Sequence, residues 1–203
     1  MFACLKNLSN NLYIPSGNKK SNAMMAGNTI DTIRSMEKID IENFNKCVEF
    51  LNDIGIKTIF RTVQEGSFLP GLSIEEGCIV VNLNSLKFPG DILHEAGHIA
   101  VVPTDERNTL DADSIAIRPN NAAEEMMAIA WSYAACLHLK INPYFVFHDQ
   151  GYKGGGNYIA DNFKEKKYFG LPMLQWIGLT SDEQRANELG ISPYPDMIKW
   201  LRD

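Results

Sequence analysis

Apolar and polar positions follow one another along this 203-residue chain in blocks of different period, and the blocks predict an order of elements. From Thr29 to Asn52 the apolar residues Ile33, Met36, Ile39, Ile41, Phe44, Val48 and Leu51 recur at helical spacing, predicting one or two helices ended by Gly55. Ile56 to Val63 alternates like a strand, with Ile56, Ile59 and Phe60 supplying apolar surface. Pro70-Gly71 makes a turn, and Cys78 to Leu83 is a short apolar strand after Gly77. Pro89-Gly90 breaks the chain and places Asp91 as the N-cap of a helix that continues through Ile92, Leu93, Ile99 and Ala100. Pro103 to Asn121 turns polar around a small apolar patch at Ile115 to Ile117, which predicts a loop or an edge strand. Asn120-Asn121 then opens a strongly apolar helix, Ala122 to Leu139.

An aromatic stretch from Pro143 leads to His148 and a glycine-rich turn at Gly151 to Gly156. Helical spacing resumes over Tyr158–Lys167, Leu171–Ile177, Ser181–Leu189 and Pro195–Leu201. The expected class is α+β: a small mixed sheet packed on helices, with a mainly helical C-terminal third. Residues 29–203 read as one domain. Residues 1–28, rich in Asn, Ser, Lys and Gly, read as a disordered leader, and Ser21-Asn22-Ala23 before Met24 resembles the scar left by a tag-cleaving protease.

Composition narrows the function classes. With 45% hydrophobic residues the chain can bury one sizeable core. A net charge of −6 and the lack of any Lys/Arg block argue against a nucleic-acid partner. Cys4, Cys47, Cys78 and Cys136 form no CxxC pair, which suits reduced thiols in a cytoplasm. No apolar run reaches the roughly 18 residues that span a bilayer. The longest, Met126 to Leu139, is interrupted by Ser132 and His138 and reads as a buried helix.

The chemistry is concentrated in His94-Glu95-Ala96-Gly97-His98. On a helix, i,i+4 spacing stacks both imidazoles on one face, where they can ligate one divalent metal. Glu95 lies one position round, placed to accept a proton without ligating. Zinc fits such a set, because it takes neutral nitrogen ligands and brings a bound water to a pKa near 7. Ordinary helix residues are the alternative, but two histidines and a glutamate within an apolar helix carry a desolvation cost unless something binds them.

Two histidines do not close a zinc site. The extended pattern HExxHxxGxxH fails, since Val101 stands at the glycine position and Thr104 at the last histidine position. A carboxylate from a neighbouring helix remains, and Glu124 and Glu125 open the apolar helix 26 and 27 residues after His98. Either acid would also stabilise a helix N-terminus by about 0.3–1 kcal/mol without any metal.

HExxH on one helix and glutamate on the next resembles the gluzincin group of zincin metallopeptidases. The order Pro70-Gly71, Ile79-Val80-Val81-Asn82, Leu93-His94-Glu95 is similar to its minimal members, among them small peptidases that cleave phage-type repressors. Their second motif, E-x-x-A-[D/N] followed by an aromatic residue, is matched by Glu125-Met126-Met127-Ala128 with Trp131 at the aromatic position. The resemblance, over about residues 56–139, implies a zincin-like fold in which His94, His98 and Glu125 hold Zn2+ and Glu95 is the general base. Ile129 departs from the Asp or Asn of the motif and removes a possible partner for a ligand histidine.

Hydrolysis through a tetrahedral intermediate also needs a hydrogen-bond donor for the developing oxyanion. His148 is the first candidate, with Tyr152 and Tyr158 beside it, although a glycine-rich surface loop with incidental side chains would read the same way. His138 and Trp131 read as core residues of the apolar helix. The expected activity is zinc-dependent hydrolysis of peptide or amide bonds in a peptide or protein substrate. The alternatives are a non-catalytic, metal-stabilised binding protein and a metallohydrolase of a non-peptide bond.

Overall fold

A computed structural model describes residues 38–62 and 69–203; the expected leader, the helix start at Thr29 and the strand end at Val63 lie outside them. Helix α1 (Lys38–Asp53) buries Phe44, Cys47, Val48 and Leu51 along one face, the i, i+3, i+4, i+7 stripe of an amphipathic helix. Gly55, with φ of +97°, turns the chain into strand β1 (Thr58–Phe60). Strands β2 (Leu72–Glu75) and β3 (Cys78–Val81) form a hairpin across Glu76-Gly77, both in left-handed conformation at φ +49° and +68°, as a two-residue hairpin turn demands. The sheet order is β1-β3-β2, parallel on one side of β3 and antiparallel on the other, so the sheet is mixed as expected. The sequence reading did not separate β2, because its four residues between two turns are too short to show a period.

Helix α2 (Asp91–Val101) lies under the sheet and is buried on nearly every side. The segment expected as a loop or edge strand forms two short helices instead, α3 (Thr104–Arg107) and α4 (Ala112–Ile117). A capping box fixes α4: the Asp111 side chain accepts from the Ser114 amide, and Ser114 accepts from the Asp111 amide. Helix α5 (Asn121–His138) packs along α2 and buries Trp131, Tyr133, Ala134, Ala135 and Cys136. Helices α6 (Gly156–Lys164), α7 (Leu171–Trp176) and α8 (Glu183–Leu189) complete the C-terminal third. Residues 195–201 are not helical, contrary to the pattern. They run as a strap whose carbonyl at Trp200 accepts from Trp131 Nε1 at 2.9 Å, and the Trp200 ring packs on those of Phe50, Trp131 and His138. His138 is therefore a surface residue rather than the expected core histidine.

Among the described residues no helix is long and apolar enough to cross a membrane. Cys47, Cys78 and Cys136 are free thiols, the first and last of them buried.

Two features hold α2 in register with its neighbours. Gly97 faces Ala128 so closely that a Cβ at position 97 would lie 2.8 Å from the Ala128 carbonyl oxygen and 2.9 Å from its Cα. One turn away, the fully buried Ser132 hydroxyl sits 2.6 Å from the Ala128 carbonyl and 3.2 Å from that of Leu93. Overpacking the Gly97 contact costs about 1–3 kcal/mol, against about 1 kcal/mol gained in helix propensity. Gly97→Ala should therefore unfold at lower urea concentration than the parent. A midpoint raised by the full propensity gain would mean that the two helices part without penalty.

Candidate metal centre

The α2/α5 contact brings the sequence-predicted ligands together. His94 and His98 project from one face of α2, and Glu125 stands one turn before Ala128 on α5. His94 Nε2 and His98 Nε2 are 3.2 Å apart, and Glu125 lies 3.6 Å from the first through Oε1 and 3.2 Å from the second through Oε2. Two ring nitrogens and a carboxylate on one point form a group able to hold a metal ion. A tetrahedral centre with metal–nitrogen bonds near 2.0–2.1 Å has donor–donor edges of about 3.3–3.4 Å, so the triangle is close to the size of a tetrahedral metal centre. The histidines are nearly buried, with 13% and 9% of their side chains exposed, whereas Glu125 keeps 44%, which makes its side the open one.

Burial sets the charges. Desolvation, aided by His98, holds His94 down at about 3, so its imidazole is neutral and free to ligate. Burial also disfavours the charged form of His98, but the Glu125 hydrogen bond and the surrounding carboxylates outweigh it and raise its pKa. Glu125 moves the other way: burial would raise it, yet the hydrogen bond and charges of the two histidines leave it lowered and anionic. Glu95 is pushed up to about 7, first by burial and then by the Asp91 and Glu125 carboxylates, against the pull of His98. The Nδ1 atoms of both histidines are buried and lack a hydrogen-bond partner among the described residues. No described residue supplies an Asp or Asn partner of the kind that Ile129 replaces.

Glu124 has a different task. It is buried, and Arg118 donates to it from Nε at 2.6 Å and from Nη2 at 2.9 Å, while the same guanidinium reaches Glu106. The choice between adjacent glutamates thus follows from the 100° helical step: one meets the arginine and the other the histidines.

Of the oxyanion-donor candidates, Tyr152 packs edge-on to His94, with ring centroids 5.3 Å apart, and its hydroxyl is buried without a partner among the described residues. Burial, then the carboxylates of Asp91, Glu125 and Glu95, raise its pKa well above the ordinary phenol value, so it remains a donor. His148 Nε2 is instead 3.1 Å from Asp91 Oδ1, and Tyr158 is 73% exposed on α6. Asp91 is not the expected N-cap: Gly90 takes that position without a side-chain bond, and the Asp91 carboxylate faces His148. Sequence reasoning missed Asp91 and Arg118 as parts of the site. Asp91 had a usable signal, since it precedes His94 by three positions and shares its face; Arg118 had none.

Comparison with protein-family models, with curated proteins and with solved structures finds no match for this chain.

The two glutamates should separate experimentally. Glu125→Gln should weaken zinc binding with little change in stability, because a neutral amide is a poorer zinc ligand than a carboxylate. Glu124→Gln should keep the zinc and lose about 1–3 kcal/mol of stability through its weakened bonds to Arg118. Zinc titration and urea unfolding of both variants read this, and the reverse pattern would exchange the two roles.

Proposed function

We propose that this chain is a zinc-dependent hydrolase of the HExxH zincin type, gluzincin-like in taking its third ligand from a second helix, and that it cleaves peptide or amide bonds. One observation carries the reading: three donors converge at zinc-sized spacing with a half-buried carboxylate, Glu95, on the same helix beside them. The small mixed sheet above α2 and the glutamate on α5 accord with a zincin-like arrangement. Free thiols at Cys47, Cys78 and Cys136 accord with a cytoplasmic setting.

A zinc ion held by His94, His98 and Glu125 would supply Lewis-acid polarisation of the scissile carbonyl and an acidified water. The chain's own residues do the rest. Glu95 accepts the proton of the attacking water as its oxygen bonds to the carbonyl carbon, and later delivers that proton to the departing amine. Burial, by raising the proton affinity of the Glu95 carboxylate, favours its taking the proton from water. The Tyr152 hydroxyl donates a hydrogen bond to the carbonyl oxygen as negative charge develops there.

Protein purified without chelator should carry about one zinc per chain, and His94→Ala should lose it. Full zinc retention in that variant would end the proposal. Glu95→Gln should keep zinc while hydrolysis of fluorescein-labelled casein falls by about 10²–10⁴. Because Glu95 works only as the carboxylate, the parent's kcat should fall as pH drops through its pKa, about 7 without the cation and lower beside it. Tyr152→Phe should cost about 10²–10³ in kcat with zinc content intact. An unchanged kcat would remove Tyr152 from the chemistry.

A further inference from the structure

The loop that carries Tyr152 is conformationally costly. Tyr152 and Lys153 both adopt left-handed backbone, at φ +53° and +56°, a region that glycine enters freely and that bulky side chains disfavour. Such strained residues persist only where their surroundings over-determine them. The surroundings here converge on His148. Its ring stacks on Phe88, with centroids 4.1 Å apart and planes at 16°, and its Nε2–H donates to Asp91 at the start of α2. Gly151 lies against that ring, where a Cβ would stand 3.2 Å from His148 Cε1, and the Gly151 amide donates to the His148 carbonyl at 3.1 Å. Gly156 passes the same carbonyl so closely that a Cβ would lie 2.1 Å from it. On the helix side, a Cβ at Gly90 would lie 1.8 Å from the Phe145 carbonyl oxygen. Loop and helix N-terminus are thus fitted to each other on both sides of the Asp91–His148 bond.

Asp91 is one helical turn before His94 and Glu95, and Tyr152 rests on His94. We infer that Asp91 and His148 form a clamp that positions Tyr152 over the His94–His98–Glu125 cluster, so that His148 serves the site through the loop it anchors. The chemical use of Tyr152 rests on the hydrolase reading above; the clamp itself does not. His148 uses Nε2 on Asp91, so it is a positioning residue and Tyr152 is the one that meets substrate.

The test uses the full chain labelled with 3-fluorotyrosine, in which Tyr152→Phe assigns one of the seven tyrosine 19F resonances. His148→Ala should shift and broaden the Tyr152 resonance in both metal-free and zinc-loaded protein. Zinc-loaded His148→Ala should also lose about 10–100-fold in kcat on fluorescein-labelled casein with KM nearly constant, the usual scale for a lost supporting contact. His148→Gln places an amide N–H where Nε2–H stood and should restore both the resonance and most of the rate. Asp91→Ala should reproduce the His148→Ala spectrum from the other side of the bond, which keeps the test decisive if one variant folds poorly. A Tyr152 resonance unmoved in His148→Ala would overturn the clamp. So would a His148→Gln variant with the parent spectrum and the His148→Ala rate, which would make the imidazole itself the reacting group. If the parent takes zinc but cleaves no casein, the hydrolase reading fails and the 19F spectra alone decide the clamp.

Discussion

The closeness of two helices governs this molecule. A glycine inside the His94–His98 pentapeptide lets α2 meet α5 backbone to backbone, and the separation set there is inherited by every group of the candidate site. His94 and His98 lie before and after Gly97, and Glu125 lies one turn from Ala128, so the donor triangle is a direct reading of the interhelical distance. A wider contact, filled by ordinary side chains, would leave Glu125 too far away to share a point with the imidazoles. Ser132 bonds within the same seam, and the sheet and the C-terminal strap press on the pair from outside.

Within this frame the acids are sorted by what faces them. Asp91, Glu95, Glu124 and Glu125 crowd a poorly solvated region, where like charges could not all persist without partners. Arg118 takes Glu124, His148 takes Asp91, and the two histidines take Glu125. Burial, with the Asp91 and Glu125 carboxylates nearby, raises the proton affinity of Glu95, and among the described residues only His98 pulls the other way. The same partition therefore leaves one carboxylate, Glu95, with a raised proton affinity.

Much of this was legible in the sequence where period and spacing act locally. The i,i+4 histidines, the apolar helix opened by two acids and the mixed α+β order were all readable, because each depends on residues a few positions apart. The choice of Glu125 over Glu124 needed the family resemblance, since what decides it physically is Arg118, whose approach depends on the path of α3 and α4. Those two helices were themselves missed: in a polar stretch, the capping box at Asp111–Ser114 outweighs the weak apolar signal of Ile115 to Ile117. The glycine-rich loop announced a turn but not its direction, and whether Tyr152 or His148 faces the cluster is set by Asp91 across 57 residues. The helical pattern over 195–201 failed because Trp200 is spent on tertiary contacts with Phe50 and Trp131, which periodicity cannot register.

Helix α2 ends without a capping side chain of its own, and two arginines, one near and one distant in sequence, satisfy its last carbonyls. Arg107 donates to those of Ile99 and Val102, the Arg202 amide to that of Ala100, and the Arg202 guanidinium to that of Val101. The Arg107 guanidinium in turn meets the Arg202 carbonyl, so the two arginines close around the helix end. Their positive charge also opposes the partial negative charge of that terminus. The bond from Arg202 to Val101 joins residues 101 positions apart, so the end of α2 is completed in part by a contact of very high sequence separation. Such closures form late in folding, because the loop entropy must be met before the contact can repay it. The pentapeptide is therefore a local motif whose helix is completed non-locally, and the order in which the chain folds sets when its three donors can first converge.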